Sequence, residues 1–474
     1  MCRRIGGRHL GATPRPDPRP GLALRGGGTA VNALPPLHDI DADRLRAAAA
    51  PRLRGRIEEV VGLLARARLP QAAVGDVVRV HADADRHVDA EVVGFRRGSA
   101  LLIARGTFQG VPPSSPVERL EREAGVYCSD ALVGRVLGPD GRPLDRDRGP
   151  VGGPSVYRPL HDTPPPALER PPIDTPLHVG VRAIDGLLTL GRGQRMGIFA
   201  GAGVGKSHLL GRLARSADAD VRVLALVGER GREVADFLDR ILPEEARRKT
   251  ITIVATSDRS PIERMRAAYL AHTIAAHFAR RGRSVLLLLD SLTRFAMAGR
   301  EVGLAMGEPP ATRGYPPTVF AELPRLLERA GTYPGGGSVT ALYTVLVEGD
   351  DLRDPVADTT RAILDGHIVL SRDLAGRGHY PAIAVTRSIS RIADHVLQPA
   401  HARVATAMRR LVAYLEEVDE LRSIGAYERG TAPHLDFAVD RRDRILDFLR
   451  QEDDAATPFP ETLRAMVALT EGMP

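Results

Sequence analysis

Lysine is nearly absent from this chain of 474 residues: Lys206 and Lys249 are the only two among 66 basic side chains, and the rest are arginine. A sequence so biased toward arginine keeps lysine where a compact ammonium must fit among closely spaced anions and a planar guanidinium would fit poorly. Cysteine is equally scarce. Cys2 and Cys128 lie far apart and offer neither a disulfide framework nor a zinc ligand set, which points to a reducing compartment. No run of about 18 apolar residues occurs, so no segment reads as a membrane span. Arg3 and Arg4 are followed by no apolar stretch, so the N-terminus does not read as a secretory signal. The net charge of +7 permits acidic partners, nucleic acid or anionic lipid, but the arginine bias is equally a mark of base-composition drift.

One of the two lysines sits in the most informative stretch of the chain. Met196 to Phe199 read as a short buried strand, Ala200 to Gly205 as a glycine-rich loop, and a helix begins at Lys206 with Leu209, Leu210 and Leu213 on its apolar side. Strand, loop and helix in this order form a phosphate cradle: backbone N–H groups of Gly201, Ala202, Gly203, Val204 and Gly205 point inward, and the helix N-terminus adds positive potential. In that layout Lys206 reaches the β- and γ-phosphates and the Ser207 hydroxyl holds Mg²⁺. The strict motif has glycine first, where this chain has Ala200.

The rest of the chain divides by texture. Residues 1–36 are rich in Gly, Pro and Arg and too poor in large apolar groups to offset ordering entropy, so they read as disordered, with a short Ala/Arg helix over 40–53. From 54 to 148 short β-rich runs follow one another: 57–64, 75–80, 88–95, 100–103 and 132–137, with a turn at Pro139-Asp-Gly-Arg-Pro143. That spacing predicts a small barrel. A Pro-rich linker over 149–175 leads to a region, 176–395, where strands alternate with helices, the pattern of a parallel sheet covered on both faces. Its best-marked helix has Ser260 as N-cap, Pro261 at the first turn, Glu263 completing a capping box and Gly282 just past the end, with Met265, Leu270, Ile274 and Phe278 as an apolar face. Beyond 396 apolar residues recur every three or four positions, from Val404 and Met408 to Leu421, and predict a helical C-terminal domain. The fold expected is α/β: a P-loop core, a small N-terminal β-barrel and C-terminal helices.

Two further stretches complete a nucleotide site. The apolar run Ser284–Leu289 ends in Asp290, a carboxylate placed to hold the Mg²⁺ hydration shell. Gly228-Glu229-Arg230 follows the strand Val221–Val227 at the carboxyl end of the sheet, where open α/β folds bind ligands. There Glu229 orients an attacking water and Arg230 faces the γ-phosphate, unless both belong to a surface ion-pair cluster with Arg232 and Glu233.

These residues stand in a wider set. Phe199-Ala-Gly-Ala-Gly-Val-Gly-Lys-Ser207, Val227-Gly-Glu-Arg-Gly-Arg-Glu-Val234 and Leu289-Asp-Ser-Leu-Thr-Arg-Phe-Ala296 resemble the rotary-type ATPase superfamily. With Gly307-Glu-Pro-Pro-Ala-Thr-Arg-Gly-Tyr-Pro-Pro317, Tyr343-Thr-Val-Leu-Val-Glu-Gly-Asp-Asp351, Ile363-Leu-Asp-Gly-His-Ile-Val-Leu-Ser371 and His379-Tyr-Pro-Ala-Ile383, the set resembles the type III secretion system ATPases, more in their injectisome form, with the flagellar export ATPase as the alternative. The likeness runs from about Arg54 to about Gln451. It implies a RecA-like core and a cytoplasmic homohexamer, peripheral to the bacterial inner membrane, that uses ATP and Mg²⁺ to release chaperones and unfold exported proteins. It also implies stalk and stator-like partners, chaperone–effector complexes and a peripheral contact with the export gate, and no specific nucleic acid. By the same resemblance Lys206 and Ser207 bind phosphate and metal, Glu229 is the catalytic carboxylate and Asp290 completes the metal site. Arg391, closing Ser388-Ile-Ser-Arg, matches the arginine finger given to a neighbouring subunit, Tyr380 the aromatic stacked on adenine, and Phe448 a residue closing that pocket. Ala200 is shared with the secretion branch, whereas Ala384 and Gly299 depart from the family pattern. Two other readings share the core fold. An RNA-translocating hexamer would need aromatic platforms in the barrel, and 54–148 holds only Phe95, Phe108 and Tyr127. A nucleotide-binding subunit without turnover is disfavoured by Glu229.

Overall fold

The computed structural model describes residues 54–121, 124–347, 353–452 and 456–473. The disorder expected for 1–36, the helix expected over 40–53 and the last four residues of the motif ending at Asp351 lie outside them. Six antiparallel strands, β1 (Arg54–Val61), β2 (Leu64–Arg68), β3 (Val77–His81), β4 (His87–Arg96), β5 (Ser99–Ala104) and β6 (Pro116–Glu121), close into a barrel in the order β1-β2-β5-β4-β3-β6. Small and branched side chains such as Ala65, Ala67, Val78, Ala90 and Leu102 fill its interior, as a narrow barrel requires. The run 57–64 is two strands rather than one. Gly62, at φ +59°, takes a left-handed conformation, so the chain reverses there and Val61 pairs with Leu64. The strand β6 escaped the sequence reading because Pro116 and three charged residues mask it, yet closure needs it between β1 and β3.

The run 132–137 is not a barrel strand. Leu132 ends a one-turn helix (Asp130–Leu132), Gly134 at φ +83° breaks the run, and β8 (Val136–Leu137) forms the strand. It pairs parallel with Thr252 and Ile253 at the edge of the main sheet. Asp145 fixes it there, accepting two bonds at 2.9 Å from the Arg135 guanidinium and one at 3.2 Å from the Val136 N–H. The Pro-rich stretch 149–175 is not a free spacer either. β7 (Gly125–Cys128) pairs with β9 (Val156–Pro159), and Arg170 donates to the carbonyls of Ala330 at 2.9 Å and Glu328 at 2.6 Å.

After a small hairpin of β10 (Pro176–Leu177) and β11 (Leu190–Gly191) comes the main sheet: β12 (Arg195–Ala200), β13 (Val221–Val227), β14 (Thr250–Ala255), β15 (Ser284–Asp290), β16 (Gly331–Thr332), β17 (Ser338–Leu346), β18 (Gly366–Val369) and β19 (Ile389–Ser390). The order is β19-β18-β12-β17-β15-β13-β14-β8, with β16 on β17, and it is parallel from β18 to β8. β13, β14 and β15 are buried at every residue, and β15 accordingly reads as an unbroken apolar run from Val285 to Leu289.

The helix Pro261–Ala279 has the expected start: the Glu263 carboxylate accepts from the Ser260 N–H at 3.1 Å and the Ser260 hydroxyl at 2.9 Å. Its burial differs from expectation. Every residue except Ile262 and Met265 is buried, because β7 and β9 cover the side turned away from the sheet. Helices Pro399–Ser423, Pro433–Asp440, Arg442–Leu449 and Phe459–Thr470 close the chain, with Met408, Leu411, Leu415 and Val418 inward as the periodicity predicts.

The barrel meets the core through a buried ion cluster. Glu91 of β4 lies 2.6 Å from Arg105 and 3.0 Å from Arg266, whose Nε also donates to the Pro139 carbonyl. Burial raises the Glu91 carboxyl, but Arg105 and Arg266 together outweigh it and hold the group below its ordinary 4.5. A depressed carboxyl stabilises above its unfolded pKa and loses that contribution as pH falls through the folded one. The barrel–core junction therefore loosens below about pH 4.5, and Arg266→Met, which leaves Glu91 with one partner, should cost about 3–5 kcal/mol. Urea unfolding at pH 7 and pH 4 checks both: the variant should be weaker at pH 7 and the difference should shrink at pH 4.

Candidate functional site

The loops after β12, β13 and β15 converge at the carboxyl end of the sheet. After Ala200 the chain turns through Gly203 (φ +78°) and Gly205 (φ +85°), conformations that glycine adopts without strain, and enters the helix Lys206–Ser216. Ala200 is itself the last residue of β12, fully buried, and its carbonyl accepts from the Val347 N–H at 3.1 Å. Its φ is not positive, so the first motif position here has no need of glycine. A Cβ on Gly203 would meet nothing within 4 Å, whereas one on Gly205 would touch the Tyr380 ring at 3.1 Å. Tyr380, 42% exposed, thus stands over the loop.

A cavity of about 910 Å³ opens above this loop, in the range of small-molecule sites. Gly201, Ala202, Gly203, Gly205, Lys206 and Ser207 form one wall, and Glu229, Arg230, Asp290 and Tyr380 also face it. At the floor, the Lys206 ammonium lies 2.6 Å from Asp290 Oδ1 and 3.3 Å from Glu229 Oε1. Burial lowers the ammonium's pKa, but the two carboxylates more than offset it and hold Lys206 charged, above its ordinary value. Asp290 is 3% exposed; burial pushes its carboxyl up, against the pull of Lys206 and with that of Glu229. Glu229 is set by Gly228 (φ +72°), where a Cβ would fall 2.7 Å from Arg294 Cβ.

Phe448 is placed otherwise than expected, and Val204, Arg391 and Arg230 sit as follows. The Val204 side chain is 1% exposed and packs with the apolar core, so only its backbone belongs to the loop. Phe448 is 5% exposed, lies outside the cavity and packs under the Arg182 guanidinium, 5.8 Å from the ring centre; Gln451 and Glu452 take the position expected of it. Arg391 is exposed at the end of β19, where its Nη2 donates to the Arg361 carbonyl at 3.3 Å; it does not face this cavity. Arg230 belongs both to the cavity wall and to the surface cluster, 79% exposed and 3.4 Å from Glu233.

The sequence reading passed over three side chains that the fold brings in. Thr344 donates its hydroxyl to Asp290 Oδ1 at 2.6 Å, fixing the carboxylate that Lys206 meets. Arg294 lines the cavity beside Gly228. Both lie inside quoted motifs, so their sequence signal was available. Gln451 had none, since its neighbours Arg450 and Glu452 give no pattern. A cradle of backbone N–H groups, an ammonium and two carboxylates in one cleft is suited to a polyphosphate with a hard cation.

Comparison with known proteins agrees with that chemistry. Residues 180–390 match the ATP synthase alpha/beta family, nucleotide-binding domain, and residues 397–468 match the T3SS EscN ATPase C-terminal domain. The chain is 47% identical to the type 3 secretion system ATPase of Pseudomonas savastanoi pv. phaseolicola over 93% of this chain and 99% of that one. It is 44% identical to the flagellum-specific ATP synthase of Bacillus subtilis over 88% and 95% of the two chains. Among solved structures, the assembled ATPase EscN from the type III secretion system of enteropathogenic E. coli superposes with a TM-score of 0.82 at 43% identity, covering 88% of this chain and all of that one. Identity this high across nearly the whole length of both partners, on a shared fold, makes the chain a member of the type 3 secretion system ATPase family, which it shares with the flagellum-specific enzymes.

Proposed function

We propose that this ATPase works as a homohexamer that energises protein export through a type III secretion apparatus, with each site completed by a neighbouring subunit. The observation that carries the nucleotide reading is the Lys206 ammonium held between Asp290 and Glu229 at the floor of the glycine-rich loop. A triphosphate entering the cavity offers Lys206 new anionic partners, and the ammonium exchanges carboxylate oxygens for phosphate oxygens. That exchange releases Asp290 and Glu229 for other work.

The donor set fits Mg²⁺. Among the described residues no group of three or more His, Cys, Asp or Glu could hold a metal. Mg²⁺ usually takes one or two protein oxygens and fills its octahedron with phosphates and water, so Ser207 and Asp290 suffice to hold it. When bound, it neutralises charge on the phosphates. Glu229 orients the attacking water and receives its proton; Arg230 and Tyr380 would meet the γ-phosphate and the adenine. Arg391 does not line its own cavity, so its role as an arginine finger, given by the family likeness, would be exercised on a neighbouring copy. The solved EscN relatives support assembly, one being an assembled ATPase and another its complex with the central stalk EscO. By likeness, the partners are a stalk, a stator-like regulator, chaperone–effector complexes and the export gate at the cytoplasmic face of the inner membrane. Among the described residues no helix is long and apolar enough to cross a membrane.

Two experiments test this reading. Glu229→Gln should bind ATP as the unaltered protein does but turn over about 10²–10⁴-fold more slowly, the usual loss of a positioned general base; undiminished turnover would remove Glu229 from the mechanism. Lys206→Ala and Arg391→Ala should each be inactive, the second by roughly 10³–10⁵-fold. Mixed in one assembly they should regain activity at interfaces with two intact halves. No recovery in verified mixed hexamers would sink the shared site.

A further inference from the structure

Gln451 belongs to the C-terminal part of the chain, yet it faces the nucleotide cavity near Tyr380 and is only 6% exposed. All four of its polar groups are bonded. Its N–H donates to the Tyr380 carbonyl at 2.9 Å, and its carbonyl accepts from Arg212 Nη2 at 2.8 Å. Its Oε1 accepts from the Arg182 N–H at 3.0 Å, and its Nε2 donates to the Gly180 carbonyl at 2.8 Å and to the Thr457 hydroxyl at 3.3 Å.

These partners come from separate parts of the molecule. Arg212 lies in the helix Lys206–Ser216 that starts at the phosphate loop, and Tyr380 stands over Gly205. Gly180 and Arg182 lead into the short helix Arg182–Leu187, and Thr457 precedes the last helix. Arg182 tightens the same knot. Its guanidinium donates to the carbonyls of Phe448 at 2.8 Å, Asp447 at 2.9 Å and Arg450, the carbonyl end of the helix Arg442–Leu449, where a cation is favoured.

Apolar contacts between layers tolerate small sliding, but buried hydrogen bonds are directional and costly to leave unmade. A displacement of Tyr380 or of the phosphate-loop helix therefore either carries Gln451 with it or strands a buried polar group. We infer that Gln451 is a positioning residue that transmits the occupancy of the nucleotide cavity to the C-terminal helices and, in the reverse direction, holds Tyr380 in place over the loop. The inference rests on the reading of this cavity as the ATP site.

The test uses the full chain, Mg²⁺ and ADP, with hydrogen exchange followed at two places: the loop 201–207 and the helices Arg442–Leu449 and Phe459–Thr470. In the unaltered protein ADP should slow exchange at both. Gln451→Ala keeps the main-chain bonds to Tyr380 and Arg212 and removes the side-chain bonds to Arg182, Gly180 and Thr457, so ADP should still protect the loop, but protection of the helix Phe459–Thr470 should be lost. Loosening of the segment whose main chain bonds to Tyr380 should raise the KM for ATP on the order of tenfold, with kcat changed much less. Gln451→Glu keeps the acceptor for Arg182 and loses the donor to Gly180 and Thr457, so it should fall between the two. Helices that ignore ADP in the unaltered protein while the loop responds, or a helix Phe459–Thr470 that responds in Gln451→Ala as it does in the unaltered protein, would overturn the inference. Failure of ADP to bind or protect the loop in the unaltered protein would instead overturn the nucleotide reading. If Gln451→Ala does not fold, the unaltered protein and Gln451→Glu decide the matter.

Discussion

The structure turns on one buried charge. Lys206 is the side chain on which three separate strand ends agree: its own after β12, Glu229 after β13 and Asp290 at the end of β15. A single ammonium among two carboxylates would be a poor stabilising device on its own, since buried ion pairs scarcely repay their desolvation. It makes sense as a site that waits for a competitor. The sheet order explains how the three ends meet, because β13 and β15 are neighbours and only β17 separates β15 from β12. β17 in turn supplies Thr344, the hydroxyl that steadies Asp290. The scarcity of lysine elsewhere sharpens the point: Nζ approaches Asp290 to 2.6 Å in a space that a guanidinium fork would not share with a phosphate.

Much of this was legible from residues alone, for physical reasons that can be named. The phosphate loop, the capping box at Ser260 and Glu263, and the unbroken apolar run of β15 are written in local chemistry, and local chemistry was enough to find them. The resemblance to secretion ATPases singled out Tyr380, which stands over the loop, and Arg391, which does not line the cavity. What stayed hidden depended on distant partners. The strand β6 exists because the barrel must close, and Val136–Leu137 joined the main sheet because Arg135 and Asp145 hold it beside β14. The helix Pro261–Ala279 showed one apolar face in sequence, while the fold buried its polar face too, by giving Arg266 and His272 partners. Gln451 is the extreme case, a residue with no motif whose bonds reach as far as Gly180.

Attachment of the layers follows from the same bonds. The barrel is joined to the core through Glu91 and Arg266, and the C-terminal helices through Gln451 and Arg182. The first junction lies among the buried side of the helix Pro261–Ala279, away from the phosphate loop. The second lies at the cavity itself. The barrel and the C-terminal helices are therefore coupled differently to whatever occupies the site, the barrel through an ion cluster remote from it and the helices through groups that the ligand's own wall presents.

The sheet's outer strands carry a consequence for the hexamer proposed above. Both are two residues long, β19 at one border and β8 at the other, the second supplied by the segment that connects barrel to core. An open border of a long parallel sheet is a template on which another chain can add a strand. With borders this short, neighbouring copies of this ATPase find little backbone on which to pair wrongly. Close packing of subunits is then free to proceed through side chains, without the risk of sheets zipping together into aggregates.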